Sequence, residues 1–421
     1  HYTADAAGLV FAGLFFGSGE AAAQWLSLGW KILCEEMPRQ NFSDGVNFEA
    51  SVPYHRLVLE LFLLPALYRA RCGESIPAEY EARLVTMAEY TAAYSRTDGS
   101  VPLWGDADDA RALPLGGQSI NDHRYLLGVV GLAFEKEVLQ KAFSGCRSEI
   151  IWLCGREAAS TLNPEMTTSE LCESRSFSEG GFFVLRNDRD HVFVDCGPIG
   201  LAGRGGHGHN DILSFEAVLD GVHLVSDSGA YLYTADFQQR NFFRSTASHN
   251  TPCVDGEEVN RFISEDYLWF LHDDAKPNVR MTQYTNECDQ LVVSHSGYQR
   301  LENPVTPVRK FVLDHLSHSL TIRDEFEAKG CHHIVIPLHL CHDVDVLKID
   351  VGEVVLRKAA RHFLLKWQGQ DVWQLGQYEG QNFAKLWRGL LGPSIKMAAQ
   401  RMSRAAEHDH YADGLIVVVT G

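Results

Sequence analysis

The spacing of apolar positions divides the chain in two. From about residue 5 to residue 160 they recur at helical intervals: Ala22, Trp25, Leu26, Ile32 and Leu33 predict one inward stripe, and Leu84, Met87 and Ala88 part of another. Between these stripes, YHRLVLELFLLPALYRARCG is apolar nearly all round. That predicts a helix buried on most sides, kinked at Pro65 and stopping at Gly73. Short turns such as Thr97-Asp98-Gly99-Ser100 join helical pairs of the kind that build a toroid or solenoid.

After about residue 172 the pattern becomes short β-rich runs broken by turn residues, among them GGFFVLRNDRDHVFVDCG, LSFEAVLDGVHLVSDSG, HSLTIRDEFEAKGCHHIVIPLHL and GLIVVVTG. RNDRD and LDGV read as hairpin turns, the second with an Asp-Gly pair that tolerates positive φ. The predicted fold class is α+β multidomain, with a helical domain over 1–165 and an antiparallel β domain over 172–421.

Composition narrows the function. The 421 residues carry a formal net charge of −18, which argues against a nucleic-acid partner and requires any polyanion site to bring its own arginines. No uncharged apolar run reaches the roughly eighteen residues of a membrane span. The ten cysteines show neither a CxxC pair nor a Cys-His ligand spacing, so no zinc finger or disulfide framework is indicated. The chain starts at His1 without Met or leader and runs at once into an apolar helix, as a fragment or a processed form would.

The chemistry concentrates in GRGGHGHND, residues 203–211. It lacks the Lys-Ser/Thr and the following helix of a phosphate loop. In an extended segment residues two apart project to one side, so His207 and His209 can face one cavity, with glycines letting the chain pass close to a ligand or metal. Asp227, one strand later, and His249 in RSTASHNT complete with His209 a two-imidazole, one-carboxylate set that suits a divalent ion, zinc first, with a fourth position open. The competing explanation is chance, because nineteen histidines also give EHDHYAD and CHHIVIPLHLCHD, read here as an exposed loop and a sheet-lining strand. Arg204, Arg240 and Arg244 flank the motif and can bind carboxylate or sulfate bidentately, although each alone is as well explained by a surface ion pair. Tyr233, with Tyr231, lines either a cleft or the core.

The stretch from GHGHNDILSFEAVLDGVHLVSDSG to RSTASHNTPCVDGE resembles the C-terminal signature of the heparinase II/III-like polysaccharide lyases, a superfamily that includes heparan-sulfate and alginate lyases; DGVNFEASVPYHRLVLELF resembles its helical domain. The resemblance implies an (α/α) toroid, lacking its first helices here, joined to an antiparallel β-sandwich, and a metal at His209, Asp227 and His249. It also implies β-elimination on a uronic-acid polysaccharide, with Tyr54 and His207 as the base and acid pair and action in the periplasm or outside the cell. His55 is expected to turn away as a structural residue. His1 stands where the family places a histidine that neutralises the substrate carboxylate, so a chain without its upstream neighbour is expected to be weakly active or inactive. WGDADDAR also resembles a family segment, with carboxylates suited to bracing an arginine or contacting sugar hydroxyls rather than to catalysis. Two other functions compete with the lyase: a metal-dependent glycan hydrolase using ion-bound water, and a non-catalytic carbohydrate-binding protein.

Overall fold

The structure, a computed structural model, describes residues 1–162, 173–368, 374–378, 394–400, 411–412 and 416–420. Two compact units emerge. His1–Val101, Ala107–Cys172 and Phe177–Gly180 form the helical one; Pro102–Asp106, Glu173–Ser176 and Gly181–Gly421 form the β one. None of the described helices is long and apolar enough to cross a membrane.

The helical unit opens with α1 (Tyr2–Phe16), α2 (Glu20–Gln40), α3 (Val52–Arg71) and α4 (Ala78–Tyr94). Helices α1 and α2 meet through glycine: a Cβ added at Gly13 would lie 2.7 Å from the Ala22 carbonyl oxygen, and one at Gly29 2.6 Å from that of Ala6. The buried face of α2 is therefore Ala22, Gly29, Leu33 and Met37, and Trp25, expected inside, is turned outward beside Phe16. Small residues at the crossing leave no room for an indole. Helix α3 is apolar round most of its circumference, as predicted, and runs past Pro65 to Arg71, with Gly73 at φ 87° just beyond its end. Its start is fixed by Ser51, whose hydroxyl accepts the Tyr54 N–H at 3.2 Å, and by Pro53 in the first turn.

Among the described residues, the β unit holds three antiparallel sheets. The first runs in sequence order through β1 (Arg175–Phe177), β2 (Phe182–Arg186), β3 (His191–Asp195), β4 (Phe215–Leu219) and β5 (Val222–Val225). Both predicted hairpins are present. Asn187 Oδ1 accepts the N–H groups of Arg189 and Asp190 in the first turn, and Asp220 and Gly221 both take positive φ in the second. A nine-stranded sheet includes Cys288–His295, Val305–Asp314 and Ser319–Ala328, where Phe311 faces Ile322 and Leu313 faces Leu320 across the ladder. A four-stranded sheet carries His333–His339. Side chains from all three, such as Val192, Leu219, Phe311 and Ile336, merge into one buried cluster. At about 1.5–3 kcal/mol per fully buried large apolar side chain, this shared core is what holds the sheets face to face.

Candidate active site and metal centre

The site of the β unit is assembled by a short segment distant from it in sequence. Pro102–Asp106 belongs to the β unit: Trp104 is fully buried against Phe193 on β3, and the Leu103 N–H donates to Glu216 Oε1 on β4 at 3.2 Å. That anchoring brings Asp106 to the glycine-histidine motif. The Asp106 N–H donates to the His207 carbonyl at 3.0 Å, while its carboxylate receives His207 Nδ1 at 3.1 Å and His209 Nε2 at 3.0 Å. Gly208, between the two histidines, must be glycine, because a Cβ there would come within 2.1 Å of the Ile199 carbonyl oxygen.

Arg240 closes the network. It sits on the helix Phe237–Phe243, which Asp236 caps by accepting from the N–H groups of Gln238 and Gln239. Its guanidinium lies over the rings of Tyr233 and Trp269, 4.9 and 4.6 Å from their centroids. Burial opposes the Asp106 charge, yet hydrogen bonds from His207 and His209 and the Arg240 charge hold its carboxyl far below the usual range. Asp106 is therefore a fully buried carboxylate. His207 is half-buried, its ring edge-on to Trp269, and His209 is buried.

Beneath this network lies a second cluster. His209, Asp211 and His249 are buried and offer donor atoms all within 4.8 Å of one another. Three of their atoms, His209 Nδ1, Asp211 Oδ2 and His249 Nε2, have no hydrogen-bond partner among the described residues. Each such buried group costs about 1–3 kcal/mol when unsatisfied, and one cation among them would satisfy all three. Burial lifts the Asp211 carboxyl, and a cation would offset that too. The residues therefore fit a metal ion. Asp227, expected as the carboxylate ligand, is not in that group: its Oδ2 accepts from His249 Nδ1 at 2.7 Å and its Oδ1 from the Gly229 N–H at 2.8 Å. Despite burial, the His249 ring keeps the Asp227 carboxyl low.

The remaining predicted residues divide. Arg240 and Arg244, expected on the substrate, are both buried and engaged inside the protein, Arg240 with Asp106 and Arg244 with the carbonyls of Leu268 and Phe270 and the side chain of Asn241. Desolvation brings the Arg244 guanidinium down to about 10. Only Arg204 of the three is exposed, and Tyr233 is half-buried against Trp269. In CHHIVIPLHLCHD, His332 bonds Asp255 and His339 the Ala247 carbonyl, as a sheet-lining strand would have it, while residues 407–410 of EHDHYAD lie outside the described residues.

In the helical unit, Tyr54 stands in the first turn of α3 and donates its hydroxyl to Asp108 Oδ2 at 3.0 Å. The segment that carries Asp108 is clamped to α3: Arg56 donates to the Ala110 and Ile120 carbonyls, and Glu60 accepts from Arg111 Nε and the Ala112 N–H, both at 2.7 Å. His55 does turn away, its Nε2 bonding the Met87 carbonyl at 3.1 Å. His1 is exposed at the start of α1, where its carbonyl accepts the Asp5 N–H.

Comparison with known families decides the relationship. Residues 170–413 match Heparinase II/III-like, C-terminal, and residues 1–115 match Heparinase II/III N-terminus. The chain belongs to the heparinase II/III-like family. This heparinase II/III-like chain is 27% identical over 286 residues to a heparin-sulfate lyase of Bacteroides stercoris, covering 64% of this chain and 37% of that protein. It is 21% identical over 286 residues to the heparin-sulfate lyase of Pedobacter heparinus, covering 66% and 38%. The chain thus spans well under half the length of these relatives in the matched region. Its fold is that of the crystal structure of Heparinase III (TM-score 0.75, 18% identity, 99% of this chain and 60% of that one) and of heparan sulfate lyase HepC from Pedobacter heparinus (TM-score 0.73, 17%, 98% and 58%). It is accordingly a helical toroid segment followed by an antiparallel β-sandwich.

Three residues escaped the sequence reading of this heparinase II/III-like chain. Asp211 follows His209 by two, the same spacing that placed His207 and His209 on one side, so its signal was present. Asp106 and Asp108 lie in a segment recognised as able to brace an arginine; nothing local in WGDADDAR shows that Asp106 would also receive two histidines about a hundred residues away.

Proposed function

We propose that the protein is a polysaccharide lyase that cleaves a uronic-acid-containing glycan by β-elimination. The observation that carries this reading is the pairing, in a member of this family, of a half-buried histidine with a buried, charge-balanced carboxylate: His207 Nδ1 donates to Asp106 at 3.1 Å. An imidazole held in that way keeps its Nε2 lone pair for a proton.

In the proposed reaction a base takes the proton on C5 of the uronate, that C–H pair becomes the C4–C5 double bond, and the C4–O bond breaks with its pair going to the leaving oxygen, which receives a proton from an acid. His207 and Tyr54 are assigned these two transfers by family resemblance. Tyr54 has a hydroxyl already directed at a carboxylate, Asp108, so its proton has a defined place to leave from and return to. Stabilising the developing enolate requires donors aimed at the sugar carboxylate. Arg204, exposed beside the motif, is proposed as one substrate contact, with Tyr233 and His1 as further ones, while Arg240 and Arg244 act by holding the site.

The cluster of His209, Asp211 and His249 is proposed to hold one divalent ion, zinc on the grounds of its two imidazoles and one carboxylate, with Asp227 orienting His249. When bound, the ion supplies positive charge that ties together the loops carrying the site. The heparin-sulfate lyases among its relatives make heparan sulfate the first polymer to try. Polymers of this kind are met outside the cytoplasm, where the protein is proposed to act.

The test is incubation of the full-length natural protein with heparan sulfate, heparin, hyaluronan and alginate while following the ultraviolet absorbance of the unsaturated product. Absorbance growing with at least one polymer is expected. Cleavage giving products one water heavier, with no absorbance, would make the protein a hydrolase instead.

A further inference from the structure

Among the hydrogen bonds to Asp106, those from His207, His209 and Arg240 match its two oxygens in pairs. Oδ1 accepts from His209 Nε2 at 3.0 Å and Arg240 Nη1 at 2.5 Å; Oδ2 accepts from His207 Nδ1 at 3.1 Å and Arg240 Nη2 at 2.7 Å. A carboxylate only accepts, so each histidine must present a protonated nitrogen to it. The two rings approach through different nitrogens. In the neutral ring His207 is therefore protonated on Nδ1 and His209 on Nε2, opposite tautomers imposed by one anion.

We propose that Asp106 is a positioning residue that sets these opposite tautomers, giving His207 a lone pair on Nε2 for proton transfer and His209 a lone pair on Nδ1 for the cation cluster. The separation of roles rests on the function proposed above; the tautomers do not. Two observations support the second half. His209 Nδ1 is a buried atom with no hydrogen-bond partner among the described residues, and His209 belongs to the group formed with Asp211 and His249. Free imidazole interconverts its tautomers readily, and only a fixed partner on one nitrogen reserves the other for ligand or proton. Arg240 supplies that fixity: its planar fork occupies both oxygens and leaves the carboxylate no freedom to rotate away from either ring.

An asparagine at this position sharpens the expectation. Its side chain has one accepting oxygen and one donating nitrogen, so it can accept from one histidine and must donate to the other. At least one ring would have to turn its lone pair toward position 106.

The experiment is a long-range proton–nitrogen correlation spectrum of the full chain labelled with nitrogen-15 histidine, at mildly alkaline pH and without substrate. The His207 and His209 signals are assigned by their loss in His207→Gln and His209→Gln. In the wild-type chain, His207 is expected as the Nδ1–H form and His209 with its proton on Nε2, whether or not an ion is bound. In Asp106→Asn, the signal pattern of one of the two is expected to invert or to split into both tautomers. An Nε2–H form of His207, or an Nδ1–H form of His209, in the wild-type chain would overturn the proposal, even if the variant does not fold. So would a folded Asp106→Asn with both tautomers unchanged. Failure of the full-length natural protein to cleave any glycan would refute the lyase reading and leave these spectra as they are.

Discussion

Asp106 and Arg240 face each other as fork and fork, Nη1 on Oδ1 at 2.5 Å and Nη2 on Oδ2 at 2.7 Å, with both side chains buried. They are 134 residues apart in sequence, so this pair ties the segment Pro102–Asp106 to the helix Phe237–Phe243 within the β unit. Breaking a buried pair by removing one partner leaves the other charge uncompensated and typically costs about 3–5 kcal/mol. Arg240→Ala should therefore destabilise the protein by about that much in urea unfolding, more than truncation of an exposed arginine such as Arg357. Equal, small losses in the two variants would show that the pair contributes little.

Tyr54→Phe and His207→Ala test the assigned proton transfers. General acid and base groups contribute about 100- to 10,000-fold, and each variant should lose turnover on that scale against whichever polymer the wild type cleaves. Tyr54→Phe keeps the ring and removes the hydroxyl that bonds Asp108, so its unfolding midpoint should stay close to the wild type. Turnover near the wild-type rate in either variant would remove that residue from the mechanism.

Much of this arrangement was legible in the sequence, for reasons specific to each part. The hairpin at Asp220-Gly221 is written locally, since two consecutive positive φ values need those residue types. Helix α3 is equally plain, because apolar residues on nearly every side and a Ser-Val-Pro start leave few alternatives. Trp25 was misplaced because period alone cannot see that Gly13 and Gly29 bring two backbones together and push bulky side chains out of the crossing. The arginines show the same limit at the site. Arg240 and Arg244 flank the motif in sequence, and what buried them is long-range: a carboxylate at Asp106 and carbonyls at 268 and 270. Spacing identifies which residues can meet; it does not rank Asp211 against Asp227, since that depends on which carboxylate the His249 ring turns toward.

That ranking yields a prediction for the metal. With Asp211 in the donor group and Asp227 bonded to His249 Nδ1, Asp211→Asn should lose the ion outright in elemental analysis of protein purified without chelator. Asp227→Asn should keep it with affinity lowered by about 10- to 100-fold, as is usual for a residue that orients a ligand. Chelator should lower the thermal midpoint of the wild type and leave that of Asp211→Asn where it is. The reverse order of loss would place Asp227 on the ion, and wild-type protein without any bound metal would remove the site.

Acid should weaken the helical unit through His55. The ring is buried between α3 and α4, edge-on to Tyr90 and Tyr94, with Nε2 donating to the Met87 carbonyl at 3.1 Å. Burial brings its pKa down from the ordinary 6.5 to about 4, only partly opposed by that hydrogen bond. Between those values the unfolded chain binds a proton that the folded one refuses, so stability rises with pH across the window. The contribution is complete above about pH 6.5 and is lost as the pH falls through about 4. The separation corresponds to about 3 kcal/mol at 1.36 kcal/mol per unit. His55→Gln removes the titration and retains a donor for Met87, so it isolates this effect from other buried histidines such as His295. In urea unfolding followed by far-ultraviolet circular dichroism, the wild type should be the more stable protein at pH 7. Its advantage over His55→Gln should shrink steadily toward pH 4, and an advantage that stays constant across that range would mean that His55 does not resist protonation in the fold.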